Sequence, residues 1–93
     1  MSRMAYFVLE YRYRDMDARA RVRDEHLAYM NALHDQGKVV LAGPTADSQG
    51  AVVVLDVADQ SAAQEVLAAD PYTREGVSAD VNLRGWNVVV PAP

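Results

Sequence analysis

One histidine and one aspartate are the residues of this sequence best suited to proton chemistry. His26 comes four residues after Val22 and four before Met30. It therefore falls on the apolar side of a predicted helix, where an inward polar ring needs a partner. Arg23 precedes His26 by three residues and shares its helix face, so the pair would present an imidazole and an anion-binding guanidinium together. The competing interpretation is a hydrogen-bonded structural histidine beside an arginine that extends to solvent.

The aspartate lies in residues 67–76, LAADPYTREG, at the end of a predicted helix of small residues. An aspartate before proline is a favourable N-cap, so Asp70 could serve only to accept backbone N–H bonds from a short helical turn. The same carboxylate could instead orient an imidazole for proton transfer. The local sequence leaves both roles open.

The remaining polar residues indicate no metal or cofactor. His34, beside Asp35 near the predicted helix end, is expected to act as a cation at the negative end of the helix dipole. We expect the two histidines on different sides of one helix, and the sequence has no cysteine, so no metal site is predicted. The stretch GPTADSQG lacks the spacing of a phosphate-binding loop.

Four strands and two helices are predicted to position these residues. Aromatic and branched residues predict strands at residues 4–13, 38–44, 51–57 and 81–90. Apolar periodicity predicts helices at residues 17–36 and up to about residue 69. The first helix is expected to end at Gly37. The second is expected to be capped by Asp59 or by Ser61, which has Gln64 at the spacing of a capping box.

The order β-α-β-β-α-β predicts an α+β, ferredoxin-like fold with an antiparallel four-stranded sheet and two helices on one face. Strands two and three are joined too closely for a crossover helix, so they are expected to be antiparallel neighbours. In the last strand the apolar alternation changes phase near Gly85. This predicts a bulge at Gly85, with Trp86 mostly buried beside it.

Apolar residues occupy both faces of the predicted strands, as in Tyr6 and Val8 against Phe7 and Leu9. Two helices cover only one face of such a sheet, and an uncovered apolar face of that size is rare in monomers. We therefore expect a homodimer in which the helix-free faces of two sheets pack together.

Length and charge narrow the function classes. The chain has 93 residues, a net charge of −4 and an isoelectric point near 4.9, so we expect one domain over residues 1–93 that binds neither nucleic acid nor membrane. No apolar run suggests a membrane span, and a cytoplasmic location is expected. An early group of arginines, interspersed with acids, is interpreted mainly as a solvated face: Arg12, Arg14, Arg19, Arg21 and Arg23.

The ordered motifs of this chain resemble those of the YCII family of small ferredoxin-like proteins. RDEHLAYMNALHDQGKVVLAGP followed by AADPYTREGV matches the family's R-x-x-H-L in the first helix, A-G-P after strand two and D-P-Y after helix two. The resemblance implies a dimeric α/β barrel related to muconolactone isomerase, with His26 and Asp70 as the active-site pair. It also implies substrate-binding positions at Arg23, Tyr72, Gly43 and Pro44.

These observations together favour a small-molecule enzyme of isomerase or lyase type. Asp70 would fix the imidazole tautomer, His26 would transfer the proton, and Arg23 would hold an acidic group of a small substrate. The alternative is a non-catalytic dimeric module that binds a small ligand or serves as an accessory protein, and a purely structural dimer is a third hypothesis. Catalysis needs the titratable proton of His26, whereas binding tolerates an amide of similar shape.

Overall fold

The computed structural model describes residues 4–92 and confirms the predicted α+β, ferredoxin-like fold. A four-stranded sheet has the order β2-β3-β1-β4, and each neighbouring pair is antiparallel. Along the chain the elements are β1 (Tyr6–Tyr13), α1 (Met16–Asp35), β2 (Val39–Pro44), β3 (Gly50–Asp56), α2 (Gln60–Ala69), α3 (Pro71–Arg74) and β4 (Ser78–Trp86).

The helix ends follow local capping chemistry. The α1 helix is followed, as predicted, by Gly37, whose φ of 79° is a left-handed conformation that suits glycine. The α2 helix is capped by Asp59, whose side chain accepts from the amide of Ala62. Ser61 lies inside the helix, so the capping box with Gln64 is not formed. Within residues 4–92, the helices are too short or too polar to cross a bilayer.

The two faces of the sheet differ in cover. One face packs against α1 and α2 and forms the core, with Leu9, Val53 and Leu55 at most 1 % exposed. In-register partners share a face, so Val8, Val54 and Leu41 lie together on the opposite side. We call this side the helix-free face; its apolar members are Tyr6, Val8, Leu41, Val52, Val54 and Trp86.

The last strand was predicted to bulge at Gly85, and this prediction is wrong. Gly85 pairs regularly with Phe7, whereas the register between β1 and β4 shifts between Glu10 and Arg12. One extra residue of β4 is accommodated there, near Asp80, whose φ is 51°. The prediction failed because the position of a bulge depends on pairing with a distant strand.

The expected burial of Trp86 is also wrong for the single chain. Trp86 is 50 % exposed, and its ring lies 6.4 Å from that of Tyr6, centroid to centroid. Because Gly85 keeps the regular alternation, the next residue projects onto the helix-free face and not into the core. The apolar surface left open on that face is therefore larger than the sequence indicated.

Candidate active site

A histidine of α1 and an aspartate from the corner between α2 and α3 are in direct contact. Nδ1 of His26 lies 2.7 Å from Oδ1 of Asp70, and the residues are 8 % and 1 % exposed. An ionised carboxylate only accepts hydrogen bonds, so it selects the tautomer in which Nδ1 carries the proton. Nε2 is then the nitrogen available to a molecule in the adjoining cavity.

Asp70 lies between two helices and caps both, through its backbone N–H and its side chain. It ends α2, and its Oδ1 also accepts from the backbone amide of Tyr72 at 2.9 Å, which caps α3. Pro71 occupies the first turn of α3, where its missing N–H costs nothing. The carboxylate that caps the turn is thus the one that contacts His26, so capping and contact with the imidazole do not exclude each other.

An aromatic cluster of Tyr11, Tyr13 and Tyr72 supports the imidazole. The rings of His26 and Tyr72 stack with centroids 3.7 Å apart. Tyr72 packs edge-on against Tyr11 and Tyr13, at 6.4 Å and 6.2 Å between centroids. Burial raises the pKa of the Tyr72 hydroxyl, and the guanidinium of Arg19 opposes that rise.

A cavity of about 320 Å³ opens in front of His26, between α1 and the strands β1 to β3. All four predicted substrate-binding residues line its wall: Arg23, Gly43, Pro44 and Tyr72. Asp70 is not among the lining residues, and it contacts the cavity's histidine. A Cβ atom at Gly43 would meet nothing within 4 Å, so packing in the single chain does not require glycine there.

Several cavity residues were not singled out from the sequence. Arg19, interpreted as part of a solvated face, lines the wall with its guanidinium carbon 4.4 Å from the ring centroid of Tyr13. The position of Arg19 could have been predicted from the helical spacing, because Arg19, Arg23 and His26 fall within about 60° of one another around a helix. Tyr11 and Tyr13 offered no such signal, since strand alternation alone did not show which face would adjoin a cavity.

The two histidines were expected on different sides of α1, and this expectation is wrong. His34 also lines the cavity, with a side chain that is 63 % exposed. Eight residues correspond to about 80° around the helix, close enough for both side chains to reach one cavity. Even so, no group of three His, Cys, Asp or Glu residues suited to a metal ion occurs in the part of the chain that the structure describes.

Fold and sheet order define this protein as a ferredoxin-like α+β protein with a cavity between α1 and its sheet. The chain belongs to the YCII family: the profile of the YCII-related domain matches residues 4–87. Protein YciI of Escherichia coli O6:H1 is 32 % identical over 84 aligned positions, covering 80 % of this chain and 86 % of the relative. An uncharacterized protein of Haemophilus influenzae is 30 % identical with the same coverage.

A solved structure with the same fold is TftG of Burkholderia phenoliruptrix, a 5-chloro-2-hydroxyhydroquinone dehydrochlorinase in complex with 2,5-dihydroxybenzoquinone. It aligns with a TM-score of 0.80 over 95 % of this chain and 99 % of TftG, at 20 % sequence identity. The likeness shows a shared fold over nearly the whole length of both chains.

Proposed function

We propose that this protein is a small-molecule enzyme in which His26 and Asp70 carry out acid-base proton transfer of isomerase or lyase type. The observation that carries the proposal is the 2.7 Å contact of Nδ1 with a buried carboxylate, on a histidine that lines a cavity. Asp70 fixes the tautomer, and Nε2 of His26 takes a proton from substrate carbon and returns it elsewhere. In an elimination, a leaving group departs with its electron pair instead.

The cavity chemistry favours a small acidic substrate. Arg19 and Arg23 bring two guanidinium groups to the wall, and guanidinium binds carboxylates and related anions well. The volume of about 320 Å³ is at the lower end of the range for small-ligand sites. The ligand in the TftG complex, 2,5-dihydroxybenzoquinone, is a planar acidic molecule of this size class, which supports the same choice here.

We also propose that the active form is a homodimer joined through the helix-free face. Val8 and Val54 are half-buried on that face, while Leu41 and Trp86 are 70 % and 50 % exposed. Soluble monomers rarely leave a contiguous apolar patch of this kind open. A second copy of the same sheet offers a complementary apolar surface without any further component.

The test is turnover of small cyclic carboxylic acids and hydroxyquinones by the wild-type protein, followed by the same assay on His26→Gln. We expect a loss of at least about 100-fold in kcat, because proton transfer by a side chain contributes that much or more. Binding of the hit, measured by calorimetry, should change far less. His34→Gln is the matched control, since it alters the cavity's other histidine and leaves the Asp70 contact in place.

The same comparison separates an enzyme from a non-catalytic binding module. A binding module would bind ligands equally well with glutamine at position 26, and the wild-type protein would turn none of them over. Turnover by His26→Gln at the wild-type rate would show that the imidazole is not the proton carrier.

A further inference from the structure

Two polar atoms in residues that line the cavity are buried and have no hydrogen-bond partner among residues 4–92. They are the hydroxyl oxygen of Tyr11, whose residue is 3 % exposed, and Nε of Arg19. Within residues 4–92 three buried side-chain atoms are unpaired in this way, and the third, in Ser78, belongs to a residue that does not line the cavity. Such atoms are costly unless something pairs with them, so their concentration at one cavity indicates a ligand.

The hydroxyl of Tyr11 is held ready to donate. Its ring is fixed between the other two members of the aromatic cluster, with centroids 6.1 Å from Tyr13 and 6.4 Å from Tyr72. Burial and then the nearby Asp70 carboxylate raise the pKa of Tyr11 well above its ordinary value. The hydroxyl consequently keeps its proton throughout the physiological range.

Arg19 is held in place by the same cluster. Its guanidinium lies over the Tyr13 ring, at 4.4 Å from the centroid, and this cation–π contact orients its N–H groups. Nε–H can only donate, and it carries part of a full positive charge. A ligand oxygen that accepts a hydrogen bond and gains negative charge would suit either of these groups.

We propose that Tyr11 and Arg19 form an oxyanion subsite that binds the carbonyl or enolate oxygen of a small carbonyl compound. Its role in turnover rests on the proton transfer proposed above. Nε2 of His26 takes the proton from the carbon next to the carbonyl, and the C–H electron pair forms a C=C bond. The carbonyl π pair moves to oxygen, which becomes the enolate held by Tyr11 and Arg19. In a substrate with a C=C bond next to the deprotonated carbon, the enolate is conjugated with that bond. Return of the proton at the far carbon of the bond shifts the double bond, restores the carbonyl and completes an isomerisation.

Binding tests the subsite directly, with benzoate and benzylamine as probes of similar size. Benzoate presents only acceptors, whereas protonated benzylamine presents only donors, which do not pair with the donor groups of the subsite. In calorimetry we expect Tyr11→Phe to weaken benzoate binding about tenfold, since a hydrogen bond to a charged group contributes at least that factor. Arg19→Lys keeps the charge, loses Nε–H and should also weaken benzoate, while benzylamine stays weak in every variant.

Two matched controls accompany these variants. Tyr29→Phe removes a hydroxyl that donates to the Val66 carbonyl outside this cavity, and Arg21→Lys alters an exposed arginine of α1. Neither should change benzoate affinity. Without ligand, Tyr11→Phe should be at least as stable as the wild type because it removes an unpaired buried hydroxyl, whereas Tyr29→Phe should lose stability.

The inference is overturned if Tyr11→Phe binds benzoate as the wild type does, or if it is destabilised like Tyr29→Phe. Failure of the proposed function looks different. If no substrate is turned over but benzoate binding still depends on Tyr11, including in the His26→Gln background, the subsite stands alone. If turnover is found, Tyr11→Phe should lower kcat about 100-fold, and an unchanged kcat would refute the subsite while leaving the His26 proposal intact.

Discussion

The rings of His26 and Tyr72 are parallel within 2°, and their centroids are 3.7 Å apart. Oδ1 of Asp70 bonds to the imidazole of the first and the backbone amide of the second. The imidazole is therefore held on its face and at its edge by residues only two positions apart. Its orientation depends on how α3 begins as well as on α1, the helix that carries it.

Removing the Asp70 carboxylate should affect both partners at once. For Asp70→Ala we expect a loss of about 2–4 kcal/mol in the free energy of unfolding. The loss has two causes: the amide of Tyr72 loses its cap, and Nδ1 of His26 loses its partner. Asp70→Asn retains an accepting oxygen and should lose about half as much or less. Urea denaturation measures the stability, and ¹⁵N NMR of the imidazole reports whether Nδ1 still carries the proton.

Asp59→Ala is the matched control, because Asp59 also caps a helix but is exposed, and its carboxylate accepts from the backbone amide of Ala62. Its expected cost is about 1 kcal/mol. An Asp70→Ala variant no less stable than Asp59→Ala would mean that the contact with His26 adds nothing to stability.

Two glycines should differ in how much stability the protein loses when a methyl group is added. In Gly50→Ala the new Cβ would lie 2.2 Å from the backbone oxygen of Tyr11, so β3 or β1 must shift. We expect a loss of about 1–3 kcal/mol or more in stability. Gly43→Ala meets nothing within 4 Å and should stay within about 0.5 kcal/mol of the wild type. Equal melting temperatures for the two variants would contradict this account.

A charge on the helix-free face should prevent the proposed dimer. Val54 pairs with Val8 at the middle of that face, so Val54→Lys would bury an unpaired ammonium group at the interface, at a cost of several kcal/mol. Light scattering after size-exclusion chromatography should show a dimeric wild type and a monomeric variant. Ala28→Lys, at an exposed position of α1, is the control and should remain dimeric. A wild type that is monomeric at micromolar concentration contradicts the proposal.

The sole tryptophan of the sequence gives an independent readout of assembly. Trp86 is half exposed on the helix-free face of the single chain, so dimerisation should bury its indole. We expect the fluorescence maximum to move to longer wavelength on dilution through the dissociation constant. Val54→Lys should show the long-wavelength spectrum at every concentration. An emission maximum that is the same at all concentrations and in both proteins would place Trp86 outside the interface.

High pH should destabilise the fold through its buried tyrosines. Burial is the main cause that raises the pKa of Tyr11, Tyr29 and Tyr72. As pH rises above the ordinary value of about 10, these groups ionise in the unfolded chain first, so the unfolded state holds fewer protons and stability falls. Below that pH they add no pH dependence. Urea midpoints from about pH 8 to 11 should fall more steeply in the wild type than in Tyr11→Phe; parallel curves would exclude Tyr11 as a source.

The sequence was sufficient for the fold and for the first pair of site residues. Element order determines the sheet order here, because the connections are short and two helices must share one face. His26 could be identified because an ionisable ring on an apolar helix face needs a buried partner. Asp70 was identifiable as a cap from the Asp-Pro pair, but its contact with His26 joins residues 44 positions apart, and only the family resemblance indicated it.

Several of the failures share one physical origin, the pairing of distant strands. Neither the bulge near Asp80 nor the outward position of Trp86 follows from β4 alone, since both depend on register with β1. The sequence likewise did not predict that Tyr11 lines the cavity, because β1 is apolar on both faces. Arg19 differs, since helical spacing relative to Arg23 and His26 was sufficient to place it on the cavity side.

The absence of a linker between α2 and α3 constrains how this chain tolerates changes in length. Asp70 ends one helix and begins the next, so inserting or deleting one residue within α2 would turn the carboxylate by about 100° relative to the sheet and away from His26. The loop at residues 45–49 carries no such geometric link and can lengthen at little cost. Related chains that conserve the pair should therefore differ in length between β2 and β3, and keep a fixed residue count from Asp59 to Asp70.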